Sequence, residues 1–231
     1  MGNVDDSYES DTPKDAGEAR KIRMLPGILG TKVGMTHLFT EDGKMVPVTV
    51  IQAGPVYVTQ LKTQETDGYA AVQVGFGEAK ESKLTFPKFG HLKKAGLTKN
   101  LRTLREFRVE STDGLQLGQE VTADIFAEGE DVTVTGTSKG RGFAGGVKRY
   151  HFRGQQMTHG YMTHRRPLSN GATGPQRVFK GKRGPGRMGT DTVTQKGMHV
   201  VKVDAERNLV LVSGSVAGPN GGLVTIKKVS K

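Results

Sequence analysis

Met198–Val216 reads MHVVKVDAERNLVLVSGSV. Two apolar runs, Met198–Val203 and Leu209–Val216, flank the polar stretch Asp204-Ala205-Glu206-Arg207-Asn208. β-Branched residues on both sides of a short polar turn predict a β-hairpin, because such side chains pack well on a pleated surface. Leu223–Val229 then closes the chain as a last strand. Upstream, the pattern recurs at Asp131–Gly136 (DVTVTG), Gln119–Ile125, Tyr69–Phe76 (YAAVQVGF), Val56–Leu61 and Met45–Ile51 (MVPVTVI). Glu41-Asp42-Gly43-Lys44 joins the last of these to Gly27–Phe39, and Asp-Gly between apolar runs is a strong hairpin signal. Thr66-Asp67-Gly68 reads as a further turn. Many short strands separated by turns about every eight to twelve residues predict a mainly β fold, a closed barrel. Phe86–Arg108 differs: Leu92, Ala95, Leu97, Leu101 and Leu104 have helical spacing, with Lys93, Lys94, Lys99, Arg102 and Arg105 between them. This predicts short helices in an insertion at about 84–108.

Between strands 131–136 and 198–203 the chemistry changes. From Gly136 to Thr190 there are twelve Lys or Arg, thirteen Gly and no Asp or Glu. The remaining chain has 22 basic and 23 acidic residues, so the whole formal charge of +11 originates in this segment. A purely cationic insert needs a polyanion to neutralise it, and nucleic acid is the foremost candidate. Strands on both sides make it an excursion from the barrel rather than a tail, and loops of this length are usually functional.

The residues within it carry the chemistry. Its cations are Lys139, Arg141, Lys148, Arg149, Arg153, Arg165, Arg166, Arg177, Lys180, Lys182, Arg183 and Arg187. Most are Arg, whose planar fork matches phosphate oxygens and stacks on bases. Gly140-Arg141-Gly142 and Gly184-Pro185-Gly186 allow close backbone approach. Phe143, Tyr150, His151, Phe152, His159, Tyr161, His164 and Phe179 interleave rings that can stack on unpaired bases. The bland alternative is a solvated basic linker. Against it stand Phe143, Val147, Tyr150, Phe152, Met157, Val178 and Phe179, too many apolar groups for a free linker.

Other chemistries fail on the residues. The chain has no Cys, which excludes disulfides, Cys-based zinc sites and thiol catalysis. His159 and His164 have no Cys or carboxylate within the segment to complete a metal site, so no metal and no cofactor is expected. There is no phosphate-cradling G-x-x-x-x-G-K-[ST] loop. Arg141-Gly142-Phe143-Ala144 copies half of an RNA-recognition-motif signature, but Gly145-Gly146 removes its stacking aromatic. Asp204 and Glu206 are better read as turn residues than as catalytic acids. No run of eighteen apolar residues is present, so no membrane span is expected. The first 24 residues, with Asp5, Asp6, Glu9, Asp11, Asp15 and Glu18, read as an acidic, disordered leader.

Several motifs resemble one family. Gly30-Thr31-Lys32-Val33-Gly34-Met35-Thr36 and Phe39-Thr40-Glu41-Asp42-Gly43 are similar to the opening of the bacterial-type large-subunit ribosomal protein L-three family. So are Val46–Ile51, Asp67-Gly68-Tyr69, Gly136–Phe143, Thr158-His159-Gly160, His164-Arg165, Val178–Lys182, Met188-Gly189 and Val203–Asn208. The resemblance runs from about Gly27 to the C-terminus. It implies a translation-protein-type Greek-key β-barrel, formed by residues 25–135 and 191–231, with a basic extension over 136–190 that penetrates large-subunit rRNA. It implies a structural rRNA binder that supports early subunit assembly, with no catalytic residues. Its partners are then large-subunit rRNA and neighbouring large-subunit proteins, with no membrane, no small-molecule substrate and no homo-oligomer, on cytoplasmic ribosomes. Leu168, Ser169, Asn170, Gly171, Ala172, Thr173 and Gly174 fall at the tip that reaches toward the peptidyl-transferase centre. Many members carry a modified Gln near that tip; this stretch is one residue shorter, and Thr173 or Gly174 takes its place. The alternatives are a transient assembly factor and an RNA-modifying enzyme, for which no nucleophile–base pair is found.

Overall fold

The computed structural model describes residues 25–167 and 169–229. The leader expected over 1–24 and the tip residue Leu168 lie outside the described residues. Six strands close a barrel in the order β1 (Gly27–Phe39), β12 (Leu223–Lys228), β7 (Asp131–Thr137), β10 (Thr192–Asp204), β11 (Leu209–Ser213) and β2 (Met45–Ala53). All the ladders are antiparallel. The predicted hairpin is β10–β11, paired from Asp204 and Leu209 inward. The Asp-Gly turn joins β1 to β2, with Phe39 opposite Met45. The barrel expected from the sequence is therefore present, and closure removes the exposed sheet edges that invite aggregation.

Three of the predicted strands, Val56–Leu61, Tyr69–Phe76 and Gln119–Ile125, contribute to a separate sheet. β3 (Val56–Lys62) and β4 (Ala71–Glu78) join β5 (Leu101–Arg108) and β6 (Glu120–Val121) in its four strands, ordered β5-β4-β3-β6. Alternation explains how this sheet is used. Val56 and Val58 enter the same buried cluster as Ile28, Leu29, Ile51, Val134, Val210 and Ile226 of the barrel. Tyr57, facing the other way, packs with Leu92 and Leu101. The sheet thus lies between the barrel and α2 (Phe86–Lys94). Each fully buried Val, Leu or Ile in these clusters contributes on the order of 1.5–3 kcal/mol.

The expectation of short helices through Phe86–Arg108 is corrected in its second half. α2 is a helix with Pro87 in its first turn, but Leu101–Arg108 is strand β5, paired with β4 from Glu78–Leu101 to Ala71–Arg108. Leu97, Leu101 and Leu104 satisfy helical spacing, yet all three pack on the cluster beneath α2. Leu101 fills the space where a side chain on Gly75 would stand. Packing across the sheet overrides the local period. Two smaller expectations also change. Thr66-Asp67-Gly68 is the end of a one-turn helix, α1 (Gln64–Asp67), with Gly68 left-handed at φ 77°. Gln119–Ile125 is the two-residue β6 followed by a 3-10 turn over Ala123–Ile125.

Candidate nucleic-acid interface

The extension is rooted in a ladder. It leaves the barrel from β7 and returns on β10, and these strands are direct neighbours with Thr137 opposite Thr192. The pairing continues outward as a stem. Ser138 N donates to Asp191 O at 2.9 Å, Arg141 N to Met188 O at 2.9 Å, and Met188 N to Gly142 O at 2.9 Å. β8 (Phe143–Ala144) then pairs with β9 (Gly186–Arg187). Gly189 has φ 78°, and the Lys139 carbonyl occupies the space its side chain would need, so glycine permits both turn and close approach.

The loop between β11 and β12 braces this root. Gln195 Nε2 donates to Ser215 O at 2.6 Å, while its Oε1 accepts from Ala217 N at 2.9 Å. Buried Lys32 donates to Val216 O at 2.7 Å and Gly218 O at 3.3 Å. Burial, and then the nearby Lys139 charge, push the Lys32 pKa below its ordinary value. The backbone at Gly136 packs so closely on this loop that a Cβ there would lie 2.5 Å from Ala217 O. The direction in which the extension leaves is thereby fixed by the barrel.

Beyond β8 a short helix, α3 (Gly146–Tyr150), organises a junction. Arg149 Nη1 donates to Gly184 O at 3.0 Å, tying the outgoing chain to the returning one. The Arg149 and Arg183 guanidiniums lie 4.9 and 5.6 Å from the centre of the Tyr150 ring. Tyr150 and Phe152 stack at 6.1 Å, and Phe152 fills the space beside Gly146. Lys139, Arg141, Arg149, Tyr150, Arg187 and Asp191 line a cleft of about 480 Å3 here. Further out, Gln155 N donates to His164 O at 2.8 Å and His164 Nδ1 contacts Gln156 O at 3.0 Å, closing a turn that carries His159. His151, His159, Gln176 and Thr190 are four of the five non-glycine residues with positive φ among those described. Such conformations cost roughly 1–2 kcal/mol each and concentrate where a segment is shaped for function.

Every cation of the segment except half-buried Arg149 is exposed: Lys139, Arg141, Lys148, Arg153, Arg165, Arg166, Arg177, Lys180, Lys182, Arg183 and Arg187. None forms an ion pair among the described residues. Tyr150 and Phe152 are half-buried in the junction, whereas His151, His159 and His164 are exposed. Phe143, Met157, Val178 and Phe179 are exposed despite being apolar, and Arg177 covers Phe179 at 5.2 Å. The tip residues Ser169, Asn170, Gly171, Ala172, Thr173 and Gly174 are all exposed, with Gln176 N turning back on Thr173 O at 3.1 Å. The junction gathers Lys139, Arg141, Arg149 and Arg187 around one cleft, while the Arg165 backbone packs against Gly154. Ser138, Met188 and Gly189, which shape the stem and cleft, stand out in the sequence only as motif positions, and Asp191 does not stand out at all. Short polar residues among glycines give no period to detect.

A closed barrel thus bears a cationic arm on a braced stem, and the cations of that arm form no ion pair among the described residues. Residues 103–208 match the family model described as Ribosomal protein L3. Proteins called large ribosomal subunit protein uL3 are similar over nearly the whole chain. The one from Heliobacterium modesticaldum is 56% identical over 205 residues, covering 89% of this chain and 97% of the relative. That from Pelotomaculum thermopropionicum is 57% identical, covering 90% and 99%. That from Corynebacterium jeikeium is 53% identical, covering 90% and 95%. The chain belongs to the ribosomal protein L3 family, and is a structural ribosomal protein rather than an enzyme.

Proposed function

We propose that this protein is a structural constituent of the large ribosomal subunit, located on cytoplasmic ribosomes, that binds 23S-type rRNA through residues 136–190. The barrel and second sheet form the globular body, and the extension threads between RNA helices. In this reading Lys139–Arg153 and Arg177–Arg187 neutralise phosphates, and the uncharged Leu168–Pro175 reaches toward the peptidyl-transferase centre. The protein thereby supports early subunit assembly. The observation that carries the reading is the set of exposed, unpaired cations on a stem braced at its root. RNA contact from such an arm is mainly to backbone and shape, since the A-form major groove is too narrow to read.

Counterion release provides the test. If about eight of these cations reach phosphate, log K for a large-subunit rRNA fragment falls with log salt at a slope of about 5–7. The slope is to be measured at fixed pH between low and physiological salt. A slope near zero refutes the proposal.

A further inference from the structure

A second cationic cleft lies away from the extension. Lys80, Lys83, Lys88 and Arg102 line a cavity of about 520 Å3, with Leu84 in its wall and Glu78 as its one acidic lining residue. It belongs to α2 and the second sheet, whose strands share no ladder with β7 or β10.

The cations nearby divide into two kinds. Lys62 pairs with Glu106 at 3.0 Å and donates to Tyr69 at 2.7 Å. Lys99 donates to Tyr57 at 2.5 Å, with Glu78 at 3.9 Å. Arg108 lies over the Tyr69 ring at 4.7 Å. These charges are satisfied within the protein. Lys80, Lys83, Lys88 and Arg102 are exposed and form no ion pair among the described residues. Four like charges around one cleft repel one another and call for an anion from outside. Beside them, between Lys83 and Lys88 in the chain, Phe86 is 89% exposed. An exposed ring among lysines suits stacking on an unpaired base, which needs a ring face and no pocket.

We propose that this cleft is a second RNA-binding surface, which seats a bent phosphate backbone and stacks an unpaired base on Phe86. It rests on the reading that the protein binds large-subunit RNA, and adds that two separated surfaces bridge different RNA segments.

The test uses the full chain with two fluorescent RNA hairpins, one fully paired and one with a single bulged nucleotide, and with polyglutamate as a competitor. The combined variant Lys80→Ala, Lys83→Ala, Lys88→Ala should weaken hairpin binding about tenfold or more and flatten the salt slope by about 2–3. Phe86→Ala should reduce the preference for the bulged hairpin and leave the slope unchanged. All these side chains are exposed, so thermal unfolding should match the parent. Arg165→Gln, Arg166→Gln, Arg177→Gln serves as the control on the extension, and its effect should multiply with that of the lysine variant. If the lysine variant binds with parental affinity and slope while the control is impaired, the second surface is refuted and the proposed function stands. If neither is impaired, both fail. Competition by polyglutamate as effective per charge as RNA would assign the cleft to an acidic protein segment and overturn the proposal.

Discussion

Glu106 sits where three strands and α2 meet. It accepts from Tyr69 Oη at 2.9 Å and from Gln73 Nε2 at 3.3 Å, and pairs with Lys62 at 3.0 Å. Gln73 Oε1 in turn accepts from Thr59 at 2.9 Å and contacts His91 of α2 at 2.7 Å. The Lys62 hydrogen bond, seconded by those of Tyr69 and Gln73, holds the Glu106 carboxyl below its ordinary value. The Tyr69 and Glu106 hydrogen bonds raise the Lys62 ammonium. A carboxylate with a depressed folded pKa contributes stability that is complete above its unfolded value and lost as pH falls through the folded one. The raised lysine contributes below its unfolded value and loses that contribution as pH rises through the folded one. Glu106→Gln should therefore lower the urea midpoint at pH 7, with the deficit shrinking toward pH 3. Equal deficits at both pH values would show that shape, not charge, makes the contribution. None of this hub is legible in the sequence. The partners of Glu106 lie between 33 and 44 positions away, and only the β3–β4–β5 register brings them together.

At the scale of elements, legibility followed the kind of constraint. β2, β7 and β10–β11 each bury one face against the barrel interior, so their alternation is written in the chain. β5 was lost because its leucines serve the cluster under α2 at spacings that also suit a helix. The stem of the extension was lost for the opposite reason: between Ser138 and Asp191 the pairing is carried by backbone, and glycines leave no side-chain pattern. Yet the stem is a distinct element, and Ala144 opposite Gly186 marks a place to close it. Replacing residues 145–185 by a short Gly-Ser turn should leave a cooperative thermal transition within a few degrees of the parent. All six barrel strands and the brace at Gln195 and Lys32 remain. Affinity for the rRNA fragment should fall by about two orders of magnitude, as most phosphate contacts are removed. Loss of cooperative unfolding would place the extension in the core.

At the scale of the molecule, the chain keeps its charge in a segment that contributes little to its fold. The segment's excess was legible from composition, because counting needs no contacts. How the body tolerates that segment depends on strand order. Four of the six interfaces in the ring β1-β12-β7-β10-β11-β2 join a strand that precedes the extension to one that follows it. The two halves of the chain are thus interleaved, and the extension is dispensable as a covalent link once the barrel has formed. Brief trypsin treatment should cut first after exposed residues such as Arg165, Arg177 and Lys180. The nicked protein should still elute from a sizing column as one species, while denaturing electrophoresis resolves two main fragments. Saturating rRNA fragment should slow these cuts, because bound phosphate shields the same Arg and Lys side chains that trypsin must seat. Fragments that separate without denaturant would mean that the interleaved ladders do not hold the barrel. Cleavage equally fast with and without RNA would instead leave the barrel argument standing and remove the extension from the RNA interface.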